Sequence, residues 1–314
     1  MPENENRLNN ALRRIVVLIV FTALVGGNIS CGKGKNMGNN TDAQELLKTA
    51  ATQKEDLATR IRALDELAAM GDAGMCENLK RLLNRAKPHP IPIKNWDPVA
   101  AERVIDLHIV KALCLLGDNS ELYRLPVLVG EAGDILLGPE DELANAASVI
   151  LGIGQVEPVH QLVIMTRESA PQVVKNAVNV LKRLDLPHAP LGGEVSPVLG
   201  PAGGAYSFEI ATLKQELETL VHLSKGRIVL SDGVKNYLLS NDYERGPVKR
   251  VDTLLAQIVE QDLALLDFDY FVADDNTVIV CTHEEAGRRW RDWWQKYGGR
   301  LKYSKKEARF VLSA

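Results

Sequence analysis

Between residues 41 and 187 apolar residues recur at intervals of three and four, the spacing that gathers them on one side of an α-helix. Glycines punctuate this run and align three segments of it, on Gly71, Gly117 and Gly154. Four positions before each glycine stand Leu67, Leu113 and Ile150, and immediately before it Met70, Leu116 and Ile153. Eight positions after it stand Leu79, Leu125 and Leu162, and eleven after it Leu82, Leu128 and Met165. Each unit therefore reads as helix, glycine turn, helix, because glycine enters the left-handed conformation that ends a helix at no steric cost. Neither helix of a pair buries its apolar stripe alone, so neighbouring pairs are expected to stack. Residues 87–98 (KPHPIPIKNWDP) form an insertion whose prolines cannot continue a helix. A last helix at 171–184 reads as a terminal or half unit.

Past residue 185 the period changes. Residues 186–206 are rich in proline and glycine and read as a linker. Leu213, Leu217, Leu220 and Val221 then predict an amphipathic helix over 210–223. Residues 227–230 and 237–239 (Tyr237, Leu238, Leu239) are short strand candidates, and a helix is expected after Pro247 through Val251, Leu254, Leu255 and Ile258. The alternating run 265–272, the polar turn at Asp274, Asp275 and Asn276, and the return at 277–281 predict a hairpin. The expected order is αββαββ, with a further strand near Phe208 left open. In residues 282–314, Trp290, Trp293 and Trp294 share a helical face, with Arg288, Arg289, Arg291 and Lys296 around them. Either the tryptophans pin this helix to the rest of the chain, or the face, with Trp290, Trp293, Trp294, Arg288, Arg289 and Arg291 as candidate contact residues, meets a protein partner or anionic headgroups.

The first 31 residues set the compartment. Arg7, Arg13 and Arg14 precede an apolar run at 15–25, followed by Gly26, Gly27 and Asn28-Ile29-Ser30-Cys31. As a helix that run would rise about 17 Å against a hydrocarbon core of about 30 Å, so it fits the apolar part of an export signal better than a membrane span. The segment resembles a bacterial lipoprotein signal, with Asn28 the departure from its pattern; the resemblance implies that Cys31 is lipidated and becomes the mature N-terminus. An ordinary cleaved leader and an uncleaved anchor are the other readings. Residues 32–41 read as a flexible tether.

Composition narrows the classes. In 314 residues, 46 % hydrophobic and 25 % charged side chains exclude wholesale disorder and allow about two domains. The formal net charge of −4 gives no reason to expect a nucleic-acid partner. It is unevenly spread: nine basic and four acidic residues give 282–314 about +5, leaving about −9 for the rest.

No chemistry-bearing constellation stands out. His89, His108, His160, His188, His222 and His283 lack zinc-motif spacing, and no G-x-S-x-G elbow is present. Residues 27–34 nearly spell a phosphate-binding loop, but Gly34 stands where a Ser or Thr hydroxyl is needed. Cys76 and Cys114 read as buried thiols, with pairing in an oxidising compartment the alternative. No catalytic residue, metal ligand or cofactor is nominated.

Two further resemblances bear on fold. The glycine-ruled units of 42–185 resemble a short array of HEAT-type repeats. Residues 207–281 are similar to the short N-terminal domain of secretins and TonB-dependent receptors, through the helix ending His222-Leu223, the strand 228–230, the helix 251–259 and the closing hairpin. That likeness implies a docking module without catalytic residues. The run 288–312 resembles a Trp-rich segment that follows some bacterial repeat domains. The expected fold is α+β multidomain, an all-α HEAT-like helical solenoid followed by a small α/β (αββαββ) domain. The expected function is a non-catalytic, membrane-anchored envelope lipoprotein, facing the periplasm and acting as a protein-binding scaffold. The alternatives are an accessory factor of a secretin-like channel and a cell-envelope hydrolase.

Overall fold

Three backbone reversals organise the first half of the molecule. Gly71, Gly117 and Gly154 have φ of +69°, +91° and +66°, the left-handed conformation the sequence calls for at each ruler position. The protein is described by a computed structural model covering residues 39–85, 98–133, 141–191, 195–200, 203–259, 263 and 268–313. Helix α1 (Asn39–Ala51) is followed by three pairs: α2 (Leu57–Met70) with α3 (Cys76–Leu83), α4 (Pro98–Leu115) with α5 (Arg124–Gly130), and α6 (Glu142–Ile153) with α7 (Glu157–Met165). Asp56 and Asp141 start α2 and α6 by accepting hydrogen bonds from the amides of Thr59 and Ala144 at 2.9 and 3.0 Å. Equivalent positions have equivalent burial: Leu67, Leu113 and Ile150 are fully buried, and Leu79, Leu125 and Leu162 nearly so.

The first helix of each pair lies beside the next. Arg60 pairs with Glu102 at 2.5 Å and Asp65 with Lys111 at 2.9 Å, joining α2 to α4. Arg103 pairs with Glu142, and Lys111 lies against Gly152, joining α4 to α6. Because the partners advance together along each helix, α2, α4 and α6 run parallel. Arg60 and Glu102 are both almost fully buried; removing one partner of such a pair costs about 3–5 kcal/mol, so the pair fixes register. Beside the Asp65–Lys111 pair, burial and then the Lys111 charge push His108 down to about 4, leaving a neutral imidazole at pH 7.

Helix α8 (Pro171–Arg183) does not extend this row. Its Val173 lies against Gly130, Asn176 donates to the carbonyls of Val129 and Ala132, and Arg183 reaches Asp141 at the start of α6. It therefore crosses the edge where α5 ends and α6 begins. Val174, Ala177, Val178, Val180 and Leu181 are buried on one side and Asn176 and Asn179 on the other, so most of this helix needs cover.

The second half adds α9 (Val195–Leu199), β1 (Gly203–Thr212), α10 (Leu213–Leu223), β2 (Ile228–Leu230), α11 (Asp232–Ser240), β3 (Glu244–Leu254), α12 (Leu255–Gln257), β4 (Phe268–Val272), β5 (Val278–Thr282), α13 (His283–Tyr297), β6 (Leu301–Ser304) and β7 (Arg309–Leu312). Strand β5 is central, parallel to β2 and antiparallel to β4; β1 pairs with β3 and β6 with β7, both antiparallel. The described residues are thus mostly helical with small sheets, an α+β fold.

Several expectations need correction. Residues 237–239 lie in helix α11, because Ser231 caps it by accepting from the Val234 amide and Val234 and Leu238 bury one turn apart. Residues 251–254 belong to β3, where pairing with β1 overrides the helical spacing; only 255–257 are α-helical. Pro247 sits inside that strand, which a two-stranded ribbon with an open outer edge tolerates. The open question near Phe208 is answered by β1. The linker reading is too loose, since Leu186, Leu191, Val195 and Leu199 are buried. Nor do residues 282–314 stand apart: Ala286, Trp290, Trp293, Leu301 and Phe310 share one core with the helix pairs. Val195, Leu213, Leu217, Ile228 and Val280 belong to a second core under the β2–β5–β4 sheet. Cys31 and most of the proline-rich insertion lie outside the described residues.

The turns separate two costs. A Cβ at Gly71 meets nothing within 4 Å, whereas one at Gly154 falls 2.7 Å from the Tyr303 ring. We expect Gly71→Ala to destabilise by about 1 kcal/mol through backbone strain alone, and Gly154→Ala by roughly 2–3 kcal/mol because Tyr303 must also move. Paired urea melts of the two variants check the ordering.

Candidate functional site

The six contact candidates from the sequence all lie on α13, and the structure divides them. Thr282 and Glu285 form a capping box that starts this helix. The same Glu285 carboxylate accepts from the Ser231 hydroxyl at 2.5 Å and the Gly233 amide at 3.2 Å, so it also caps α11. The N-terminal half of α13 is thereby fixed to the α/β part of the molecule.

Its C-terminal half is fixed to the helix pairs. Trp290 is 0 % and Trp293 3 % exposed, their rings edge-on at 5.4 Å, and the Trp293 indole donates to the Pro187 carbonyl at 3.0 Å. Trp294 stacks flat on His160 of α7, with centroids 4.6 Å apart and planes 5° apart. Arg291 donates to the Thr166 carbonyl at 2.6 Å and to its hydroxyl at 3.2 Å. Arg289 lies over the Phe271 ring, 3.2 Å from its centroid. Arg288 alone of the six is exposed. The partner-contact reading of the aromatic face is therefore corrected: α8 and α7 need an apolar cover, and the tryptophans supply it.

A buried polar group that the sequence reading missed sits where the two cores meet. Asp269 on β4 pairs with Lys182 of α8 and accepts from or shares a proton with His283 Nδ1 of α13 at 2.9 Å. Burial alone would raise the Asp269 carboxyl, but Lys182 and His283 outweigh it and hold it at about 2. Asp269 faces Cys281 across the β4–β5 ladder. Burial, then the Asp269 and Glu285 charges, push the Cys281 thiol far up, the opposite of what a nucleophilic cysteine needs. The group joins three elements, and His283 Nε2, also buried, has no hydrogen-bond partner among the described residues. Its only signal in the sequence was an aspartate inside an apolar strand, legible as unusual but without a partner.

Cys76 and Cys114 are free, buried thiols, Cys114 pushed up to about 11 by burial and by Asp118. Among the described residues no group of three or more His, Cys, Asp or Glu side chains is placed to hold a metal ion. No helix among them is long and apolar enough to cross a membrane.

The open surface of the helix pairs carries apolar groups at matching places. Val127 and Ile164 both stand ten positions after their ruler glycines, on α5 and α7, which pack together. They are 52 % and 39 % exposed, and Tyr123, one turn before Val127, is 62 % exposed. In the first unit the same position is an exposed Arg81. Comparison with protein-family models, with curated proteins and with solved structures finds no match to this chain.

The Asp269 group makes a pH-dependent contribution. Its folded value lies below the ordinary 3.8, so the stabilisation is complete above about pH 4 and is lost as pH falls towards 2. At about 1.4 kcal/mol per pH unit the contribution is roughly 2 kcal/mol. Asp269→Asn should be less stable than the parent by about that amount at pH 7, with the gap closing below pH 3 in melts run across that range.

Proposed function

We propose that this protein is a membrane-tethered envelope lipoprotein that acts by binding, a non-catalytic scaffold whose HEAT-like helix pairs hold a protein partner. The observation that carries this reading is the exposure of Val127 and Ile164 at equivalent positions of two adjoining second helices. A folded chain gains by burying such side chains, and two exposed in register form a stripe rather than scattered singles. Exposed Arg81 of the first unit stands at the equivalent position, the charged residue in sequence register with those two. The partner is accordingly a protein with an apolar centre and a polar rim to its contact patch. The Cys31 signal supports the tether, and the sequence between it and α1 supplies its reach, shorter than the expected 32–41 because α1 begins at Asn39.

The tether has a direct check. Cys31→Ser should move the protein from the membrane fraction to the soluble envelope fraction, and globomycin should cause the unprocessed form to accumulate. Unchanged attachment of the Cys31→Ser protein together with no accumulation under globomycin would remove the lipoprotein assignment.

The stripe is checked separately. A photo-crosslinking residue placed at Val127 or at Ile164 in living cells should yield adducts with the same envelope protein. Ile164→Asp should abolish the Val127 adduct while leaving the melting temperature within a few degrees, since the side chain is already exposed. Adducts with lipid alone, or none at either position, would sink the binding-scaffold reading.

A further inference from the structure

The excess positive charge of the C-terminal segment is not spread along it. On the outer side of α13 the exposed residues Glu284, Arg288, Asp292 and Lys296 follow one another at four-residue intervals and cancel. The surplus falls on what comes next, Arg300 and the β6–β7 hairpin. The pleat sorts that hairpin into two faces. Leu301 pairs with Leu312 and Tyr303 with Phe310; Leu301 and Phe310 are buried, and Tyr303 lies against Gly154. On the other face and in the turn, Lys302, Lys305 and Lys306 are exposed, and none of them forms an ion pair among the described residues. Glu307 is already engaged by Arg309 at 2.6 Å. Packing thus holds a rigid two-stranded platform with three lysines and Arg300 turned to solvent, on a chain whose remainder carries about −9.

We propose that the outer face of the β6–β7 hairpin is a docking surface for an anionic phospholipid bilayer, contacted through Lys302, Lys305, Lys306 and Arg300. Charge complementarity selects this occupant. A flat array of negative headgroups attracts a small basic platform and repels the acidic remainder of the molecule, so one orientation is favoured. The exposed residues of the platform are Arg300, Lys302, Lys305, Lys306, Glu307, Ala308 and Arg309, with no large apolar side chain among them, which suits headgroup contact without insertion. A few lysines bind weakly by themselves. On a chain already tethered to the same membrane, high effective concentration makes the weak contact sufficient to set orientation. The setting rests on the tethered reading above, but the contact itself does not.

The test uses the unlipidated chain from residue 32 to 314 and sedimentation with vesicles of phosphatidylcholine, with or without 30 mol % phosphatidylglycerol as the anionic probe. At low salt the protein should sediment with the anionic vesicles and not with the neutral ones, and high salt should release it. Lys302→Glu, Lys305→Glu and Lys306→Glu together should weaken binding at least about tenfold, with an unchanged melting temperature because all three side chains are exposed. A control triple reversal at the exposed Lys54, Lys214 and Lys235 makes the same change in net charge and should leave binding within about twofold. Equal binding to neutral vesicles would overturn the proposal. So would equal loss in the two triple variants, or no binding to anionic vesicles by a chain that crosslinks to a protein through residue 306 in cells. None of these outcomes touches the Cys31 or Val127 experiments, so the two readings fail separately.

Discussion

Helix α8 is buried on most of its sides, by one apolar face and by the polar Asn176 and Asn179 opposite it, and the molecule is arranged around covering it. Val174, Ala177, Val178, Val180 and Leu181 are buried on one face, and Asn176 and Asn179 on the opposite side, so neighbours close over more than one face of this helix. Helices α5, α6 and α7 close part of that surface. The remainder is closed by α13, which arrives from the far end of the sequence and brings Trp290 and Trp293. Burying a tryptophan removes more apolar surface from water than any other side chain does, so two on one face make this long-range contact worth its entropic cost.

That contact explains how the two halves become one body. Helix α13 is tied at its start to α11, β4 and β5 by Glu285 and His283, and along its length to α7 and α8 by tryptophan and arginine. Its two ends therefore serve two different cores. The Lys182–Asp269–His283 group stands at the junction, contributing one member from each of α8, β4 and α13. A buried carboxylate without the Lys182 charge and the His283 contact would be costly, so the three elements are held in a single relative arrangement.

The same closure redistributes what the surface offers. With the aromatic face used internally, two features of the exposed surface carry the functional reading, beside further exposed apolar residues such as Leu239 and Tyr243 of the α/β part. An apolar stripe runs over α5 and α7, and a basic hairpin follows α13. The first suits a protein contact and the second a negatively charged surface, and a membrane-tethered scaffold would use both at once. Neither involves the buried thiols of Cys76, Cys114 and Cys281, which are packed as small apolar groups.

The local architecture was legible in the sequence because its causes are local. Gly71, Gly117 and Gly154 mark their turns by the absence of a Cβ, and the leucines four before and eight after them mark the buried faces by helical period alone. The hairpin of β4 and β5 was legible for the same reason, an alternating run on each side of a polar turn. The ribbon of β1 and β3 was not: its strands are more than thirty residues apart, and the partner decided the conformation of 251–254 against its own spacing. Residues 237–239 misled because three apolar residues suit a strand or a helix equally, and the Ser231 cap settled the choice. The tryptophans of α13 declared themselves as a face, but a face needing cover and a face seeking a partner look identical along a chain. Only the tertiary fold decided between them, because it alone placed the uncovered side of α8 opposite, and it alone set Asp269 between Lys182 and His283.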